Sequence, residues 1–409
     1  MRSYSLFTIF LLCLAILAVD VMAFYWLVSI SRSLESQVFK IIVYTAFWIF
    51  TVGLLVAILY LKIRLDTINR SRRHLIISSI YGLTVSSFVP KVIFVVIISI
   101  LFFSNYALGK EESTYVIPIV GLFSGFLPFM AIVFGIFKTI YRFKVYHIAL
   151  KIDKIPKGIE HCRIVHISDL HLGSFNFRYH ILDRAIHTIN QFKPDFIFFT
   201  GDLVNNYAWE LKGWSSVLEK LKAGRGKFAV LGNHDYGDYS EWPAADLKQK
   251  NLESIKFFFK KIGFRLLLNE SEVINMNDQQ MAIVGVENWG KPPFKQYGNL
   301  KEALKGVENI DNKILLSHDP SHWEEEVVNK TDILLTLSGH THGMQAGFRL
   351  KKKQWSPIKY KYKYWAGLYK ENNQFLYVNR GLGWLGFPGR LGMRPEITVI
   401  DFRKGFTRL

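Results

Sequence analysis

Hydrophobic and polar positions follow two different patterns along this chain, and the change falls near residue 140. Before it, apolar residues run almost unbroken: 6–30 holds one charge, Asp20; 39–61 holds only Lys40; 115–137 holds none. Each run is long enough for a membrane-spanning helix, which takes about 20 residues. A fourth run, 75–108, is broken by Pro90-Lys91. The adopted reading is a span over 88–108, with Lys91 reaching the interface and 75–87 as an interfacial lead-in; one long kinked helix is the alternative. The first run is too long for the apolar core of a signal peptide and three more follow it, so it predicts a retained anchor.

From residue 159 the apolar runs shorten to four to six residues between polar turns: 163–168, 195–200, 227–231, 313–317 and 333–337. Such runs predict strands buried on both faces. Helical periodicity follows most of them, at Tyr179–Phe192, Trp209–Leu221, Leu247–Ile262 and His322–Asn329. Further strands are expected at 374–379 and 396–400. The alternation predicts a layered α/β domain over 159–409, after a transmembrane region 1–140 and a juxtamembrane linker 141–158. In such domains, sites gather beyond the carboxyl ends of strands.

Five of these strands run into side chains that bind metals. They end on Asp169-Leu170-His171, Gly201-Asp202, Gly232-Asn233-His234-Asp235, His318-Asp319 and Gly339-His340-Thr341-His342-Gly343. Imidazoles are common ligands for transition metals, and a mixed nitrogen and oxygen set suits Mn, Fe or Zn better than Ca. The lack of thiolates argues against a structural zinc site. Two divalent ions about 3.5–4 Å apart, sharing a carboxylate and a hydroxide, would clamp a phosphate and stabilise its attacking and leaving oxygens. Some nearby residues have plainer readings. Asp319 reads as a turn cap, Asp235 allows the same, His166 reads as a hydrogen-bonded core residue, and Cys162 as a small buried hydrophobe.

The five motifs, in this order from Ile164 to Gly343, resemble the calcineurin-like metallophosphoesterase family. The resemblance implies two facing mixed β-sheets flanked by helices, here preceded by an all-α bundle of about four transmembrane helices. It also implies two divalent metal ions, with Asp169, His171 and His342 on the first, Asn233, His318 and His340 on the second, and Asp202 bridging them. A bridging hydroxide would attack phosphorus, His234 would serve the leaving oxygen, and Asp235 would orient or polarise His234. The loop 379–383 and the stretch 390–396 are similar to a branch that includes bacterial phosphodiesterases for phospholipid-like substrates and some membrane-anchored members. Arg380, Arg390 and Arg394 there are candidates for phosphate contact or for ion pairs. The expected function is hydrolysis of phosphodiester or pyrophosphate bonds in a phosphorylated lipid or lipid-linked substrate. Two alternatives stand beside it: a phosphatase or nuclease on soluble substrates, and a non-catalytic membrane scaffold.

Charge adds an orientation. Residues 1–157 carry 16 Lys and Arg against 6 Asp and Glu, +10 of the chain's net +18. Lysines and arginines collect at 62–73 and 138–154, while the other connections offer Arg32, Lys40 and Lys110 beside Glu111 and Glu112. With four spans, the positive-inside rule places the amino terminus and catalytic domain in the cytoplasm, anchored to an inner or plasma membrane. Two cysteines build no disulfide framework, as in a reducing compartment. Asp20, costly in lipid, faces the bundle interior and pairs with Lys91 or a serine, or else sits at the interface. The basic, aromatic run Arg349–Trp365 is expected to lie against the membrane and border the site; an exposed strand and a nucleic-acid stacking surface are the alternatives.

Overall fold

The computed structural model describes residues 5–64, 67–107, 116–153, 155–276, 279–350 and 353–405. Leu108, Lys110, Glu111, Glu112, Tyr115, Lys154, Lys351 and Lys352 of the stretches above lie outside these residues. The chain forms two compact units, one built on residues 2–137 with 386–389, the other on 138–385 and 390–409.

In the first unit, four helices among the described residues are long and apolar enough to cross a membrane: Leu6–Ile30, Gln37–Arg64, Arg70–Ala107 and Val116–Phe137. The third corrects the expected boundary at Phe88. One helix runs from Arg70 through Pro90 to Ala107, so 75–87 is not a separate lead-in. Proline removes one N–H from the ladder. In the turns before it the hydroxyls of Thr84 and Ser86 donate to the carbonyls of Ile80 and Gly82 at 2.8 and 2.7 Å, side-chain bonding of a kind that accompanies proline in membrane helices. Outward-facing Phe10, Ile49 and Phe103 are 61%, 68% and 66% exposed, a surface suited to hydrocarbon. Asp20 is buried instead. The Lys91 ammonium lies 2.8 Å from its carboxylate and the Thr51 hydroxyl donates to it, so the interior pairing holds over the interfacial one.

The second unit carries two mixed six-stranded sheets among its described residues. The first runs in the order Lys144–Ile152, Glu396–Lys404, Arg163–Ile167, Phe196–Thr200, Gly226–Val230, Arg265–Leu266. The second runs Gly367–Glu371, Gln374–Val378, Leu335–Ser338, Lys313–Leu316, Gln279–Gly285, Glu270–Met276. Ile164, Phe198 and Val230 of the first sheet pack against Ile283, Leu316 and Leu337 of the second. The outer face of the first sheet, with Ile197 and Phe199, is covered by Ile186 and Phe259 from the helices Tyr179–Gln191 and Ala245–Lys261. Val284 and Leu315 lie under Leu300 and Trp323 on the far side of the second. Covered on both faces, these strands have no polar side to show, which is why they read as unbroken apolar runs.

Two local expectations change. The stretch 141–158 is more than a linker, because Lys144–Ile152 is an edge strand of the first sheet, parallel to Glu396–Lys404. Its partner comes from the far end of the chain, beyond the reach of a local pattern. The helix expected over Trp209–Leu221 splits into Ala208–Leu211 and Ser215–Leu218 around Gly213, whose φ is +79°.

Candidate metal centre

The apolar strands Arg163–Ile167, Phe196–Thr200 and Gly226–Val230 run parallel and deliver Asp169, His171, Asp202 and Asn233 from one sheet. Lys313–Leu316 and Leu335–Ser338 deliver His318, His340 and His342 from the other. The donor atoms gather in two groups. Asp169, His171, Asp202 and His342 form one; Asp202, His318 and His340 form the other, with Asp202 common to both.

The contacts are close for atoms that carry lone pairs. His171 Nε2 lies 3.0 Å from His342 Nε2 and 3.5 Å from Asp202 Oδ2, and His342 Nε2 lies 3.2 Å from Asp169 Oδ1. In the second group His318 Nε2 is 3.2 Å from Asp202 Oδ2 and 3.0 Å from Asn233 Oδ1, and His340 Nδ1 is 2.8 Å from that same Asn233 oxygen. Such a set of buried imidazoles, carboxylates and an amide oxygen is a buried Asp/His metal-binding cluster, and its donors fit divalent transition metals.

Electrostatics agree with that fit. Burial pushes His171 down to about 3 and His340 to about 4, and His342 well below the usual range, which keeps them neutral as ligands must be. Burial would lower His318 too, but Asp202 and Asp169 raise it to about 10, and against its own burial Asp202 is held well below the usual range by His318 in return. The cluster thus draws a proton into its middle, as expected of a pocket built for positive charge.

Neighbouring groups fix how the donors face. The carbonyl of Thr200 takes His318 Nδ1–H at 2.6 Å, leaving Nε2 for the cluster. Asn233 Nδ2 donates to the Tyr239 hydroxyl at 2.9 Å, which turns its oxygen inward. The backbone is held in an unusual shape as well. Asp169, His171, Asp202, His340 and His342 all have φ between 47° and 69°. Non-glycine residues seldom adopt that region, and such strain concentrates at functional sites. Asp202 is further constrained by Gly232, where an added Cβ would lie 2.2 Å from Asp202 Oδ1 and 2.5 Å from its nitrogen.

His234 and Asp235 part ways. His234 Nδ1 donates to the carbonyl of Asn205 at 2.7 Å, so Nε2 is the nitrogen available to a ligand. Burial lowers its proton affinity, against the pull of Asp202. Asp235, expected to orient His234, accepts the backbone N–H groups of Asp202, Leu203, Val204 and Gly232 at 2.9–3.2 Å instead. It holds the Asp202 loop in place, and the Asn205 carbonyl orients the histidine. Asp235→Ala should therefore lower the stability of this unit by at least about 3 kcal/mol, since several buried N–H groups lose their partner. Thermal unfolding followed by circular dichroism checks this; an unchanged midpoint would contradict the assignment.

Residues around the cluster resolve the remaining expectations. Asp319 caps its turn through Ser321, at 2.8 Å to the nitrogen and 2.7 Å to the hydroxyl, and its other oxygen lies 3.4 Å from His340 Nε2. Tyr362, not singled out from sequence, places its hydroxyl 2.8 Å from that same nitrogen. The run Lys359–Trp365 is neither a strand nor a row of aromatic anchors. Tyr362, Tyr364 and Trp365 are buried in the domain, while Tyr360 is 78% exposed. The rings of Tyr362, Tyr364 and Trp365 are spent on the core. Arg380 pairs with buried Glu396, Arg390 is buried and donates to the carbonyls of Arg380, Gly381, Gly383 and Met393, and Arg394 donates to those of Arg142 and Phe143. His166 is a core residue, bonded to the Thr200 hydroxyl at 2.8 Å, and burial pushes the Cys162 thiol up to about 12.

Comparison with known proteins adds relatives. The model of calcineurin-like phosphoesterases matches residues 162–344, and one described as a probable calcineurin-like phosphoesterase transmembrane domain matches residues 2–140. An uncharacterised metallophosphoesterase of Bacillus subtilis (strain 168), YkuE, is 32% identical over 265 residues, 62% of this chain and 83% of its own. The phosphodiesterase YaeI of Escherichia coli (strain K12) is 31% identical over 244 residues, 58% of this chain and 81% of its own. A transmembrane protein with metallophosphoesterase domain from Danio rerio is 27% identical over 279 residues, 66% of this chain and 60% of its own.

Proposed function

Since the chain belongs to the calcineurin-like metallophosphoesterases and joins that domain to a transmembrane region, we propose that it hydrolyses phosphodiester or pyrophosphate bonds in lipid or lipid-linked substrates. The observation that carries the hydrolytic part is the pair of donor groups sharing Asp202. Asp169, His171 and His342 would hold one divalent ion, Asn233, His318 and His340 the second, and Asp202 both. When bound, two such ions supply a nucleophile from water at neutral pH and neutralise charge on the phosphate oxygens.

The protein's own contribution is positioning and proton exchange. His234, fixed through Asn205, presents Nε2 to the leaving oxygen and exchanges a proton there. Asp235 and Gly232 hold Asp202 where both donor groups reach it. Tyr362 and Asp319 anchor His340 from behind. The lipid class is supported by the four apolar helices on the same chain, which keep the enzyme beside membrane-resident substrates. The lysine and arginine distribution supports a cytoplasmic catalytic domain.

The test uses full-length protein in detergent with Mn²⁺. Lipid phosphodiesters in mixed micelles should be turned over faster than single-stranded oligonucleotides, and a chelator should abolish both activities until metal is restored. Preference for the oligonucleotide would overturn the substrate class; activity that persists in chelator would overturn the metal-dependent mechanism.

A further inference from the structure

The helical unit contains a cavity of about 870 Å³ that phosphoester hydrolysis leaves unused. Phe47, Phe50, Phe94, Phe126 and Phe129 are among its lining residues. Small-molecule sites occupy roughly 300–1,000 Å³ and combine apolar, aromatic walls with a few polar groups, as this one does. Lys91 is one such group. Asp20, near the middle of its helix, receives one hydrogen bond from the Lys91 ammonium at 2.8 Å and another from the Thr51 hydroxyl. An ammonium has three donors, and this one also lies 4.5 and 5.8 Å from the ring centres of Phe47 and Phe50. Ser87 is a second. It lines the same cavity, is 8% exposed, and its hydroxyl has no hydrogen-bond partner among the described residues.

Each feature needs a reason. An ionisable pair inside membrane helices is costly and marks a functional site by default. A buried hydroxyl without a partner is rare in folded proteins. The wall around both is mostly apolar and aromatic, a setting that favours hydrocarbon over bulk water.

We infer that the cavity binds one acyl lipid, with its chain along the phenylalanine wall and an oxygen of its polar end toward Lys91 and Ser87. The surroundings select this occupant. The helices present apolar side chains outward, so hydrocarbon chains are the species at hand. The polar side chains at the wall are a cation, Lys91, and the hydroxyls of Ser79, Ser86 and Ser87, complementary to a carboxylate, phosphate or carbonyl oxygen and not to a second ammonium. This reading stands independently of the substrate of the catalytic unit.

Photolabelling tests it. Full-length protein in phosphatidylcholine nanodiscs would be irradiated with diazirine-bearing palmitic acid and the label located by mass spectrometry. Label should concentrate in residues 79–94 and 122–137 and be displaced by unlabelled palmitate. Leu83→Trp, which adds bulk at the cavity wall, should cut labelling roughly tenfold. Ser87→Ala, which adds none, should raise the palmitate needed for half-displacement about fivefold, the worth of one hydrogen bond. Both variants should keep wild-type turnover of bis(p-nitrophenyl) phosphate, which reports folding. Label spread evenly over the four helices and not displaced by palmitate would overturn the inference. So would a Ser87→Ala midpoint equal to wild type.

Discussion

Asp202→Asn should reduce Mn²⁺-dependent turnover of bis(p-nitrophenyl) phosphate by on the order of 10³-fold, because changes in groups that merely support ligands already cost about 10–100-fold. Asp202 is the carboxylate common to both donor groups, with Oδ2 3.5 Å from His171 Nε2 and 3.2 Å from His318 Nε2. Asparagine keeps the shape and can still accept the His234 backbone N–H that Asp202 Oδ1 takes at 2.9 Å. What it loses is the negative charge that would offset bound cations. Bound metal, measured by mass spectrometry of the purified protein, should fall together with turnover while the unfolding midpoint changes little. Turnover within tenfold of wild type would remove Asp202 from the centre of the mechanism.

His234→Ala should lower kcat by about 10²–10⁴-fold, the usual worth of a positioned proton donor or acceptor. Metal content should stay at the wild-type value, since neither donor group includes this residue. The loss should also depend on the leaving group. Nitrophenolate departs without a proton, whereas an alkoxide does not, so an alkyl phosphodiester should suffer more than a nitrophenyl one. Equal losses on the two substrates would assign His234 to substrate binding. The two variants separate the parts of the site, as Asp202→Asn lowers metal and rate together and His234→Ala lowers rate alone.

Much of this site was legible because its parts are local. Each donor motif sits within a few residues of a strand end, and a strand buried on both faces announces itself as an apolar run. The structure brings Asp169, His171, Asp202, Asn233, His318, His340 and His342 into one cluster. Roles that depend on what lies across the fold were not legible in the same way. Asp235 neighbours His234 in sequence, yet its carboxylate turns to the loop of Asp202. Asn205 orients His234 through a backbone carbonyl, and no residue type advertises a carbonyl. Tyr362 looked like part of a membrane-facing lysine and tyrosine run; its ring instead packs inward, and its hydroxyl meets His340.

The amino-acid sequence by itself determined that apolar helices precede an α/β metallophosphoesterase domain and which side chains stand at its strand ends. Period and composition are properties of neighbouring residues, so a linear reading captures them. The tertiary structure decided how those side chains face one another, that Lys144–Ile152 completes a sheet begun elsewhere, and that Asp20 meets Lys91 and Thr51 beside a cavity. These outcomes depend on pairings between distant segments, set by packing and by the need of every buried charge and hydrogen-bonding group for a partner.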